Sequence, residues 1–309
     1  MANNLSGACA WYKFESGALL TDSTANANTL SNTGPVAEDT TNFAEGSCSA
    51  GYDTWDYLSR TNANLSSGFP LKDGETNKDL TVVGWFRPHT AGYGNIWPFF
   101  STYVFAGYSG LIFLVNGNSS IDVALGYGTG AESHACAYTF TPDTWYHIGA
   151  SWNDATKTAT YRIWNGSTAS TLSAEYTNGV TVGAGPFKIG ESTRYLSGSD
   201  TYNFDGQIDE YAVFNTVLSI DDIDAIRGGT YTGEPDYEDM AAECAITFGA
   251  TAVLDYYSAG DLAAECAITI GMSSSLGNSA PILIRDVADK HVATYLVAAG
   301  NNSFWYSTG

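Results

Sequence analysis

Basic side chains are scarce in this sequence: 12 Lys and Arg stand against 33 Asp and Glu, a formal charge of −21 over 309 residues. A nucleic acid or an anionic membrane surface needs a basic footprint, so neither is an expected partner. The acidic surface either serves solubility alone or includes carboxylates that hold calcium. Cysteine is also sparse. Cys9, Cys48, Cys136, Cys244 and Cys266 show no CxxC and no metal-ligand spacing. An odd number at low density is not a disulfide scaffold, and the pairings Cys9–Cys48 and Cys244–Cys266 stay open. No run of about 20 apolar residues exists, so no membrane-spanning helix and no membrane insertion are expected. The opening MANNLSGACAWYKFESG has neither the basic region nor the apolar run of a signal peptide. G-x-S-x-G, H-E-x-x-H and Gly-rich phosphate loops are missing too.

What is present points to short strands joined by tight turns: 33 Gly, 20 Tyr and 8 Trp, with only 15% of residues charged. Residues 79–87, DLTVVGWFR, predict a strand with Thr81, Val83 and Trp85 on one face and Val82 and Phe86 on the other. NIWPFFSTYVFAG, GLIFLVNG and IDVALGYG, between Ala91 and Gly130, predict two or three more. Thr158 to Trp164 alternates strictly, and Asn165-Gly166 is a hairpin signal. From Phe204 to Gly229 the pattern is strand, turn and short helix. Ile208, Tyr211, Val213 and Phe214 mark the strand, Ser219 the N-cap, Asp221 and Asp222 the first helical turn, and Gly228-Gly229 the stop.

This closing segment resembles that of the laminin-G-like, or concanavalin A-like, jelly-roll domains, where G-x-I-D-E/D-hydrophobic precedes N-x-x-L-S and an acidic helix. Here Gly206, Ile208, Asp209, Glu210, Asn215, Leu218 and Ser219 fill those places. Further matches are Trp11 and Phe14 in an opening strand over residues 8–20, Asp56-Tyr57-Leu58, Trp85 with Pro88, the Trp145–Trp152 strand, and Phe187 to Gly190. The resemblance covers residues 8–229 and implies an all-β fold: an antiparallel two-sheet jelly-roll sandwich, here followed by a small repeat-containing β domain. It also implies a calcium site, in which Asp22, Asn26 and Asn28 of an Asp-Ser-x-x-Asn-x-Asn loop are closed by Asp209, with Glu210 the alternative; hard oxygen ligands suit calcium. Asx-type turns are the competing role for Asp22 and Asn26. His147 reads as a packed structural residue. The E-x-D-x-x-E strand of the related hydrolases has no counterpart, so no enzyme is expected. Exposed aromatics in such domains stack on sugars; the candidates here are Trp55, Tyr93, Trp97, Tyr103 and Tyr195, each with core or rim packing as its alternative.

Beyond a hinge over residues 230–237, marked by Gly233 and Pro235, the pattern changes. DMAAECAITFG at 239–249 recurs 22 residues later as DLAAECAITIG at 261–271. A repeat this short is one β unit used twice, each half depending on its neighbour. Such small-residue repeats are similar to those of phage virion proteins. Pro281–Ile284 and Val292–Tyr306 predict further strands. The expected organisation is a jelly roll over 1–233 and an assembly or attachment domain over 234–309. The expected function is that of a non-enzymatic phage structural protein, a capsid decoration or tail fibre component released by lysis. Its partners would be other virion proteins, further copies of itself in a homo-oligomer, and a host-surface glycan. The alternatives are a secreted bacterial carbohydrate-binding module or adhesin, whose leader was clipped, and a subunit of an extracellular filament.

Overall fold

Period-two alternation dictates sheets, and sheets with one apolar face must pack in pairs. The computed structural model describes residues 5, 7–53, 55–89, 96–116, 119–193 and 201–229, and the backbone of 281–285 and 292–296. In chain order the strands of the first unit are β1 (Ala10–Tyr12), β2 (Ser31–Thr33), β3 (Ala37–Asp39), β4 (Ser49–Tyr52), β5 (Tyr57–Arg60), β6 (Leu80–Pro88), β7 (Ile96–Ser101), β8 (Leu111–Asn116) and β9 (Ser120–Gly126). They continue with β10 (Ala131–Ala137), β11 (Tyr146–Asn153), β12 (Thr158–Trp164), β13 (Ala169–Glu175), β14 (Phe187–Ile189), β15 (Glu191–Thr193), β16 (Thr201–Asn203) and β17 (Gly206–Phe214), and the helix α1 (Ile220–Arg227) follows. Among the described residues one antiparallel sheet runs β13-β12-β11-β6-β17-β4-β3, with β1 also on β17, and the facing sheet runs β10-β9-β8-β7-β14-β5-β2. This is a jelly-roll sandwich.

The faces of β6 fall as its alternation requires. Val82 and Phe86 enter the core between the sheets, with Trp97, Phe99, Phe113, Trp152, Tyr161 and Tyr211, while Val83 faces outward beneath α1. The helix covers that outer patch with Ile223 and Ile226. Gly149 of β11 is what lets it sit so close: a Cβ there would lie 2.5 Å from Ile223 Cγ2. Ser219 caps the helix in a capping box with Asp222, and Arg162 and Arg227 both bond Asp224. Gly229, at φ +67°, makes the left-handed exit.

The opening strand is shorter than the sequence suggests, because Phe14 adopts φ +55° and ends it. On β17, β4 takes Gly206–Ile208 and β1 takes Tyr211–Val213, with a bulge between them against β6. Glu210 sits in that bulge at φ +46°. Two buried cysteines expected as a candidate pair are free thiols: Cys9 Sγ donates to Gly68 C=O and Cys48 Sγ to Phe14 C=O. Burial pushes each thiol up to about 11.

The chain divides into two compact units, Met1–Glu243 and Cys244–Gly309. In the second, β18 (Pro281–Arg285) and β19 (Val292–Leu296) form an antiparallel pair with Leu283 opposite Thr294. The repeats, the pairing Cys244–Cys266 and the hinge lie outside the described residues.

Candidate functional site

Four strands lie side by side near one end of the eight-stranded sheet, and their registers set one residue from each in a row. Arg87 of β6 stands opposite Gln207 of β17, Gln207 opposite Gly51 of β4, and Gly51 opposite Ala37 of β3. Ile208 and Ala50, the neighbours in sequence, belong to the core, so alternation turns this row to the outer face. Two large polar side chains followed by two small residues leave a depression over β3 and β4. Its volume is about 320 Å³, and Asp39, Thr41, Asp53, His89 and Gln207 line it beside Gly51. Pockets for small ligands begin at about 300 Å³. A Cβ on Gly51 would meet Ala37 O at 3.5 Å and Asp39 Cβ at 3.7 Å, ordinary contacts. The backbone therefore does not demand glycine there; the missing side chain keeps the space open.

The polar groups at this site are held rigidly. Arg87 Nη1 donates to Gln207 Oε1 at 2.6 Å, and its Nη2 pairs with Asp143 at 3.3 Å. His89 Nδ1 lies 3.2 Å from Asp205 and its Nε2 3.1 Å from Gln207 Oε1. Asp39 accepts from Thr41 N–H, Asn42 N–H and Asn42 Nδ2; burial works against its charge, but these bonds hold its carboxyl below the usual range. At the far rim Asp53 to Asp56 forms a turn, with Asp56 N–H donating to Asp53 C=O at 3.0 Å. The same turn carries Trp55, 56% exposed and at φ +85°. Its exposed ring offers a flat apolar face at the rim of the depression.

The expected calcium ligands are placed differently. Asp22 Oδ1 accepts from Trp11 N–H and Thr24 N–H, and Oδ2 from Thr24 Oγ1 and Asn28 N–H. Four bonds fill all the lone-pair positions of a carboxylate, leaving none for a cation. Asn26 and Asn28 both donate their amides to Cys9 C=O, and Asn28 Oδ1 accepts from Ser66 N–H. These three residues knot the opening loop onto β1. Asp209, fully buried, instead closes the seam where β1 and β4 meet on β17, accepting from Ala44, Glu45 and Glu210 N–H. Burial, opposed by those bonds, pushes its carboxyl up to about 7, and Glu210, bonded to Trp11 Nε1, is pushed by burial to about 7 as well. The set is thus two separate structural devices, and the donor chemistry does not fit calcium. Among the described residues no three His, Cys, Asp or Glu side chains gather as metal ligands.

Of the aromatic candidates, Trp55 is exposed as expected. Trp97 and Tyr103 are corrected: β7 turns Trp97 into the core at 1% exposure, and Tyr103 packs at 4% with Ile112, Leu114 and Ala124. Tyr93 and Tyr195 lie outside the described residues. His147 is buried edge-on to Trp85 at 5.1 Å, and burial lowers its imidazole to about 3. Sequence reading missed Asp39, Asp53, His89 and Gln207. They come from distant segments and share no spacing; only the small pair Ala37 and Gly51, once in register, shows the gap they surround.

The family model described as the concanavalin A-like lectin/glucanases superfamily matches residues 60–224, just over half of the chain. The protein belongs to this superfamily. Among curated proteins, none matches the sequence significantly. Among solved structures, botulinum neurotoxin type C, in a study of its interaction with two ganglioside molecules, aligns at 15% identity and TM-score 0.50, over 74% of this chain and 53% of the toxin chain. A sialidase carbohydrate-binding module of Ruminococcus gnavus aligns at 14% identity and TM-score 0.38, over 48% of this chain and 82% of the module. Tailspike protein 2 of bacteriophage CBA120 aligns at 12% and 0.44, over 66% of this chain and 30% of the tailspike. The toxin match is a likeness of fold, and the other two fall below the level that supports an argument.

Proposed function

We propose that the jelly roll is a non-catalytic glycan-binding domain, displayed on a phage particle by the C-terminal domain. The observation that carries the glycan reading is the outward polar groove across β3, β4 and β17, flanked by the turn that presents Trp55, on a sandwich of the concanavalin A-like lectin/glucanases superfamily. Sugars need fixed donors and acceptors around a shallow site and an aromatic to stack on, and this end of the sheet offers both. The small-residue repeats at 239–249 and 261–271 support attachment to other virion proteins or to further copies of the chain.

A glycan array probed with the full chain tests the first part: selective retention on a subset of glycans is expected, and no retention on any overturns it. Immunogold labelling of particles with antibody to residues 1–229 tests the second. Regular labelling of a capsid or tail is expected. Labelling of bacterial surfaces alone would replace the virion reading with a secreted adhesin and leave the glycan reading standing.

A further inference from the structure

Resting on that glycan reading, the groove geometry points to the class of sugar: we propose that it binds an uncharged sugar through hydroxyl groups and discriminates against sugars bearing a carboxylate. Two unengaged partners line the groove. Gln207 is 6% exposed and its Oε1 is held by Arg87, which leaves Nε2 with no partner among the described residues. An amide donor at the groove surface with no partner among the described residues is suited to a ligand acceptor. The Asp53 carboxylate, exposed at the opposite rim, accepts no hydrogen bond among the described residues. A carboxylate takes two adjacent hydroxyls as a bidentate acceptor, and an amide N–H completes the pattern by donating to a ring or hydroxyl oxygen.

Charge selects among sugars. Glu38, Asp39 and Asp53 all line the groove. Bonds from Gly17 N–H and Ser16 Oγ hold Glu38 below the usual carboxylate range. The basic groups beside this row, Arg87 and His89, already face Asp143 and Asp205. Among the described residues beside this row no guanidinium is left to grip an acidic sugar bidentately, and three carboxylates within about a Debye length repel it.

The test is titration calorimetry on the full chain with matched probes, lactose against sialyllactose and glucose against glucuronate, extended to the neutral sugars retained on an array. The neutral member of a pair should bind at least tenfold more tightly than its acidic counterpart. Asp53→Ala should weaken neutral binding about tenfold. Gly51→Leu, whose Cβ the backbone accommodates, should abolish binding with the melting temperature kept. Equal or tighter binding of the acidic member overturns the proposal. So does neutral binding indifferent to both variants, which would move the site elsewhere while the glycan reading survives. Retention of no sugar at all sinks both.

Discussion

Single carboxylates in this protein do structural work that their neighbours in sequence do not announce. Glu210 lies in the β17 bulge, and burial raises it to about 7 although Trp11 Nε1 bonds it at 2.7 Å. An acid whose folded pKa lies above its unfolded value holds its proton more tightly when folded. Its contribution to stability is therefore full below the ordinary carboxylate range and is lost as pH rises to about 7. Thermal denaturation should show the melting temperature falling between pH 4.5 and 7 and levelling above it. Glu210→Gln, which keeps the acceptor for Trp11, should flatten part of that slope; an unchanged slope would show the proton is held elsewhere. Asp22 ties down the opening loop instead, its carboxylate accepting from four donors. Asp22→Ala should cost about 2 kcal/mol or more, by stranding buried N–H groups. Chelation or added calcium should leave the melting temperature of the wild type within about 1 °C, since four donors already occupy the Asp22 carboxylate. A rise on adding calcium would restore the metal site that the family resemblance implies.

Elements with one buried face were legible, and those without were not. Thr158–Trp164 shows strict alternation in sequence and the matching burial in β12, and the N-cap at Ser219 stands where its hydroxyl type and spacing put it. The strands β2, β3, β10 and β13, read SNT, AED, AESHACA and ASTLSAE, gave no such signal. All four are sheet edges, held through backbone pairing with polar side chains on show, so hydrophobic periodicity has nothing to report. Because β3 forms one wall of the groove, the site was invisible for the same reason. The aromatic residues chosen from sequence failed where a loop guess met a strand: Trp97 is inside β7. The helix offers a sharper test of packing. Gly149→Ala should destabilise by about 1–3 kcal/mol through overpacking against Ile223, and a neutral result in denaturant unfolding would mean that α1 is free to shift outward.

At the scale of the whole molecule, both sheets and the closing helix are complete by Arg227. A fragment of residues 1–233 should accordingly unfold in one cooperative step as a soluble monomer, whereas the full chain should associate, as seen by analytical ultracentrifugation. A full chain that stays monomeric at high concentration would count against self-assembly through residues 234–309. The placement of the binding surface is the claim on which the rest depends. Hydrogen exchange followed by mass spectrometry, on the full chain with and without a retained glycan, tests it most directly. Slowed exchange confined to residues 35–41, 51–53 and 205–209 is the predicted result. Protection at another face of the sandwich, with those segments unchanged, would contradict it.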